Sequence, residues 1–151
     1  MNVLLDTNVL TRAALPAHAQ HRAAEYAPRE VRRRGDRVCL VPQILYEFYV
    51  VSTRPEGETG LGITPDVART ELLRLRQLYP VFPEVPQVFA EWERLVQLHQ
   101  VSGKLAHDAR LVAAMNVHGI QGILTFNRRD FVRFPQITIL TPDELITSSS
   151  P

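Results

Sequence analysis

The chain has 151 residues, 45% hydrophobic and 22% charged, enough for one domain with a buried core and too few for two. A net charge of +1 excludes polyanion binding by bulk charge, so any nucleic-acid contact has to come from local clustering of the 16 Arg and one Lys. The single cysteine, Cys39, excludes an intrachain disulfide and fits a reducing cytoplasm; no cleavable leader pattern or membrane-length apolar run is seen, so a soluble protein without membrane contact is expected.

The apolar run Val3-Leu4-Leu5 reads as a buried strand over residues 2–6, closed by Asp6. Helical segments follow over 8–15 and 18–34, with Pro28 placing the middle of the second in doubt, and then a strand over 37–41. Pro42 suits the first turn of a helix reaching Ser52, and "TRPEGETGLG" beyond it reads as a flexible glycine-rich loop. Thr64 as N-cap and Pro65 at the first helical position restart a helix to about Tyr79, which "PVFPEVP" breaks. A helix over 86–100 carries Phe89, Trp92, Leu95, Val96 and His99 on one side, a stripe that reads as core before it reads as a partner surface. The next helix, over 104–118, ends at Gly119; "IQGILTF" and "ITIL" supply two more strands, and "TSSSP" is a frayed end. Strands alternating with helices predict an α/β fold, a central parallel sheet with helices on both faces and a ligand crevice at the strands' C-terminal edge.

Four acids fall where a carboxylate is costly unless something binds it. Asp6 ends a buried strand, Glu47 shares a helical stripe with Ile44, Phe48 and Val51, Asp108 shares one with Leu105, Val112 and Met115, and Asp130 follows the third strand. An ionised carboxylate among apolar groups needs a raised pKa, a cationic partner or a metal, and several converging acids call for a hard divalent cation, Mg²⁺ or Mn²⁺. Plainer readings stand beside this one. Asp6 also reads as the N-cap of the next helix, Glu47 as paired with an arginine, and Asp130 as the cap of the turn "NRRDF". Arginines cluster at Arg29, Arg32, Arg33, Arg34 and Arg37, which reads equally as a solvated helix face, and at Arg128, Arg129 and Arg133, where flanking Asp130 favours phosphate contact by Arg128 and Arg129. His107 beside Asp108 reads as a surface or packing residue, since helix neighbours point different ways.

Taken in order, "LLDTNVL", Glu47 in the helix after the second strand, "HDARLVAAM" and "LTFNRRDF" resemble the PIN-domain ribonucleases, in particular the VapC-type toxins of bacterial type II toxin–antitoxin systems. The resemblance runs from Val3 to about Leu140 and takes in "TRPEGETGLGIT". It implies a PIN-like three-layer sandwich, with residues 1–142 as the nuclease domain and 143–151 as a short C-terminal tail. It further implies Asp6 and Asp108 as principal ligands of Mg²⁺ or Mn²⁺, Glu47 completing the cluster and Asp130 as the fourth acid, with Thr7, Asn8, Thr125 and Asn127 in support. Asn127 is a departure, standing where some relatives carry an acid, so a second metal would rest on fewer charges. The implied activity is endoribonuclease cleavage leaving 5′-phosphate and 3′-hydroxyl ends, and the implied partners are RNA, a cognate antitoxin and a second copy of the chain.

Rival classes are poorly supported. An aspartyl-nucleophile phosphatase needs an acid where Asn8 stands, and no glycine-rich phosphate loop follows the first strand. The alternative from another class is a catalytically silent PIN-like module that binds RNA or protein.

Overall fold

A computed structural model describes residues 1–57 and 60–147 of the chain. Its centre is the strand β1 (Asn2–Leu5), whose Val3, Leu4 and Leu5 are completely buried, as a parallel strand covered on both faces requires. Parallel pairing sets Leu4 opposite Cys39 of β2 (Arg37–Cys39) on one side and Ile123 of β3 (Gly122–Leu124) on the other, and β3 pairs in turn with β4 (Thr138–Leu140). The sheet order is β2-β1-β3-β4. The chain therefore leaves β1 toward one edge and returns to β3 on the opposite flank. That reversal opens a crevice at the C-terminal ends of β1 and β3.

Eight helices surround the sheet among the described residues: α1 (Thr7–Ala13), α2 (His21–Arg33), α3 (Pro42–Thr53), α4 (Pro65–Leu78), α5 (Gln87–Leu98), α6 (Leu105–His118), α7 (Arg128–Phe131) and α8 (Pro142–Thr147). Their main mutual contacts fall into two groups, α1, α2, α3, α4 and α8 in one and α5, α6 and α7 in the other. This is the α/β three-layer sandwich expected from the sequence.

Several local details differ from the sequence reading. Helix α2 runs unbroken through Pro28, which is itself buried beside Ala24, Ala27 and Val31. Burial of that face offsets the backbone hydrogen bond proline cannot donate. The segment after α3 is partly pinned: Leu61 and Ile63 donate their amides to Val51 and Ser52 carbonyls, and Gly62 donates to Arg54. A side chain at Gly60 would meet the Pro55 carbonyl oxygen, so glycine is required there. "PVFPEVP" both ends α4 and serves the sheet, because Leu40 donates to Pro80 and accepts from Phe82 across a parallel bridge to Val81.

The first part of the stretch read as tail, residues 143–147, belongs with Pro142 to helix α8, whose Leu145 is buried against the core. Ser148–Pro151, and with them most of the predicted frayed end, lie outside the described residues. Gly119 ends α6 in the left-handed conformation at φ 65°, as its position predicted.

Candidate active site

The crevice is built from the strand ends outward. Asp6 follows β1, continues its ladder by donating its amide to the Leu124 carbonyl, and caps α1 by accepting the Thr7 amide at 2.7 Å on Oδ1. Its other oxygen, Oδ2, accepts from Thr125 Oγ1 at 2.6 Å and from Asn8 Nδ2 at 2.9 Å. Asn8 Oδ1 in turn accepts the Phe126 amide, and Thr125 Oγ1 accepts the Asn127 amide. Thus the N-cap reading of Asp6 and its place in the acid cluster hold together: only 7% of the residue is exposed, and a hydrogen-bond lattice across β1 and β3 fixes its carboxylate.

Glu47 reaches the crevice from α3. Among the described residues no arginine pairs with it, as its plainer reading would have required; Oε2 accepts from Thr7 Oγ1 at 2.9 Å and Oε1 from Gln43 Nε2 at 2.8 Å. Asp108 comes from the first turn of α6 and Asp130 from the first turn of α7. Among the described residues no ion pair or hydrogen bond engages either carboxylate.

Glu47, Asp108 and Asp130 line one open cleft of about 900 Å³, with Lys104, His107, Phe126, Asn127, Arg128 and Arg129 around them. Burial pushes the Asp6 carboxyl up to about 6, with the charges of Glu47 and Asp130 adding to the rise and hydrogen bonds from Thr125 and Thr7 opposing it. Burial also pushes Asp108 up to about 7, followed by repulsion from Asp130, Asp6 and Glu47, with Lys104 opposing. Asp108 feels the other three acids and Asp6 feels Glu47 and Asp130, so the four are electrostatically linked.

The donor set is entirely carboxylate oxygen and, among the described residues, no base pairs with it, which fits a hard divalent cation in type and charge. Among the described residues no three acids stand close enough to form a ready-made cage, so Glu47, Asp108 or Asp130 would have to turn inward to complete one.

Three supporting residues escaped the sequence reading. Gln43, buried at 6% exposure, donates to Glu47 and to the His107 carbonyl and accepts from Arg110 at 2.8 Å, linking α3 to α6 beneath the cleft. A glutamine one turn before an acid on the apolar stripe of a helix was the available signal. Arg110 gave none, because its partners Gln43 and Glu84 are distant in sequence. Arg12 lies 4.3 Å over the Phe126 ring; burial pulls its guanidinium below the ordinary value and the Asp6 charge opposes that.

The two arginines proposed for phosphate divide. Arg129 is exposed on the cleft, whereas Arg128, also at the cleft, donates to Glu144 of α8 and to the Ile139 carbonyl. The first arginine cluster is largely structural: Arg33 and Arg34 pair with buried Glu30, and Arg32 donates to the Leu78 carbonyl and covers Tyr79. The His107 side chain is exposed, as expected.

The sequence pattern of the PIN domain matches residues 3–137 of this chain. The chain belongs to the PIN-domain family. Solved structures share the PIN fold at low sequence identity. VapBC2 from Rickettsia felis, solved bound to a DNA fragment from its promoter, is 15% identical with a TM-score of 0.67, over 93% of this chain and 98% of that one. VapBC-1 from nontypeable Haemophilus influenzae is 13% identical with a TM-score of 0.66, over 95% and 99%. VapC20 from Mycobacterium tuberculosis, described as a sarcin-ricin loop cleaving toxin, is 20% identical with a TM-score of 0.58, over 80% and 86%. No curated protein sequence matches this PIN domain.

Proposed function

We propose that this PIN-domain protein is a Mg²⁺- or Mn²⁺-dependent endoribonuclease and the toxin of a toxin–antitoxin pair. The observation that carries the reading is a set of four acids, none ion-paired to a base among the described residues: Glu47, Asp108 and Asp130 line one cleft, and buried Asp6 at the end of β1 is electrostatically linked to them. Asp6, Glu47, Asp108 and Asp130 would hold the ion, and Thr7, Asn8, Thr125 and Asn127 support them. When bound, the ion supplies Lewis acidity for hydrolysis of a phosphodiester by water.

The chain's own groups have distinct tasks. Thr125, Asn8 and the Thr7 amide aim the Asp6 carboxylate, while Gln43 and Thr7 aim Glu47. Lys104 and Arg129 at the rim of the cleft offer cations to the RNA backbone. Asp108 and Asp130 leave their oxygens available to the ion.

The kinship of fold to VapBC assemblies supports an antitoxin partner, and VapC20 supports RNA as the substrate class. A groove between α3 and α4, lined by Leu45, Tyr46, Tyr49, Val50, Leu72 and Leu73, has exposed apolar surface suited to a protein partner, an antitoxin segment or a second copy.

The test is cleavage of end-labelled RNAs by the wild type and Asp6→Asn with Mg²⁺, Mn²⁺ or chelator. Cleavage that needs both the metal and Asp6 and leaves 5′-phosphate ends is expected. A silent RNA- or protein-binding module would bind RNA and leave every strand whole.

A further inference from the structure

Beside the acid cleft lies a second pocket, of about 360 Å³, lined by Glu84, Phe89, Trp92, Ala106, His107 and Arg110. The helix-α5 stripe read from sequence as core is split here: Leu95 is buried, but Phe89 is 63% exposed. The Phe89 and Trp92 rings are stacked, with centroids 5.8 Å apart and planes 29° from parallel. Trp92 is held in place because its Nε1 donates to the Ala106 carbonyl at 2.8 Å. Arg110 is held on two sides, donating to Glu84 and to Gln43, both at 2.8 Å.

The pocket is continuous with the acid cleft through His107, which lines both, and Gln43 ties the His107 carbonyl to Glu47. It therefore presents a fixed aromatic face, an acceptor carboxylate and a donor guanidinium next to the place where a phosphodiester would be held. Those are the elements that recognise an unstacked base: a ring to stack on and polar groups for its edge. We propose that this pocket receives one nucleobase of single-stranded RNA adjacent to the bond in the acid cleft, and so sets where the strand is cut. The proposal rests on the ribonuclease reading for its ligand class, yet its signal is independent of cleavage.

Trp92 is the only tryptophan in the chain, so its emission reports this pocket directly. Mixed-sequence single-stranded decaribonucleotides, intact or abasic at one position at a time, are mixed with the Mg²⁺-loaded protein, and emission is read by stopped flow before turnover. The expected result is quenching by the intact strand that is lost when one particular position is abasic. Phe89→Ala, a change at an exposed residue, should weaken that binding by roughly 5- to 150-fold, the span of one base–aromatic stack. In cleavage it should raise KM with kcat little changed, and the preference for that base should disappear.

Quenching equal for intact and abasic strands, or absent while the same strands are cut, overturns the proposal and leaves the ribonuclease reading standing. Emission that changes with protein concentration and oligomeric mass, and is untouched by RNA, places a second copy over the pocket and overturns it too. Base-dependent quenching without cleavage sustains the pocket and removes the ribonuclease reading instead.

Discussion

The two flanks of the acid cleft are built to opposite rules. On the β1/β3 flank, Asp6 accepts three hydrogen bonds and sits in a lattice with Asn8, Thr125, Phe126 and Asn127. On the α6/α7 flank, the carboxylates of Asp108 and Asp130 have no hydrogen-bond partner among the described residues. A carboxylate with satisfied lone pairs is aimed before any ligand arrives. One without partners keeps its coordination capacity and tolerates repulsion by turning. The difference teaches that this site is half preformed and half responsive, with Glu47 between, bonded by Thr7 and Gln43.

The largest effect should come from the responsive flank. Asp108→Asn keeps shape and burial and removes charge, so RNA cleavage in Mg²⁺ should fall by more than about 100-fold, beyond the usual cost of losing an outer-shell partner. Single-turnover rates check this; a loss under tenfold would mean Asp108 is not central.

Next comes the preformed flank. Thr125→Val removes the hydroxyl that donates to Asp6 and preserves volume. Activity or metal affinity should drop about 10- to 100-fold. Stability should fall by about 1 to 3 kcal/mol, since a largely buried carboxylate loses its shortest partner. Urea melts of the two variants sharpen the contrast, because Asp108→Asn relieves repulsion and should leave the metal-free protein at least as stable as wild type.

The third expectation concerns pH. Burial raises Asp6 to about 6 and Asp108 to about 7 from an ordinary 3.8, so the folded chain holds protons that the unfolded chain has released. The penalty is absent below the ordinary value of 3.8 and complete above the raised values of about 6 and about 7, so with chelator present stability should decline as pH rises through that window. Thermal melts across that range check the sign. Added Mg²⁺ should flatten the decline, and a metal-free protein that gained stability with rising pH would contradict the electrostatic account.

The smallest effects are at the rim. Arg129→Ala should raise KM for RNA several-fold, about the worth of one exposed phosphate contact. Arg128→Ala should do less, because Arg128 is already engaged with Glu144 in an exposed pair worth at most about 1 kcal/mol. Equal effects would show that Arg128 releases Glu144 when RNA binds.

Three of the candidate acids stood out in the sequence because each breaks an apolar pattern that a short window displays: Asp6 at the end of Val3-Leu4-Leu5, Glu47 beside Ile44 and Phe48, Asp108 beside Leu105 and Val112. Asp130, in the polar turn "NRRDF", had no such pattern and rested on its place after a strand and on the family resemblance. The parallel sheet followed from alternation of strands and helices. What stayed hidden depends on contacts between distant segments. Arg110 meets Gln43 across 67 positions, and Arg12 meets Phe126 only once β1 and β3 are paired. Helix α8 was more accessible than the reading allowed. Thr141-Pro142-Asp143-Glu144 is a capping box, with the Thr141 amide donating to Glu144 and the Glu144 amide donating to the Thr141 hydroxyl. Pro28 misled in the other direction, since only the packed face of α2 shows why the helix tolerates it.

The most direct test of the account is Mn²⁺ binding, followed by calorimetry, to the wild type and to Asp108→Asn at pH 7.5. The account predicts binding to the wild type that weakens at least about tenfold in the variant, as loss of one carboxylate ligand requires. Equal affinity for the two proteins, or no binding to either, would contradict the assignment of this acid cleft as a metal centre.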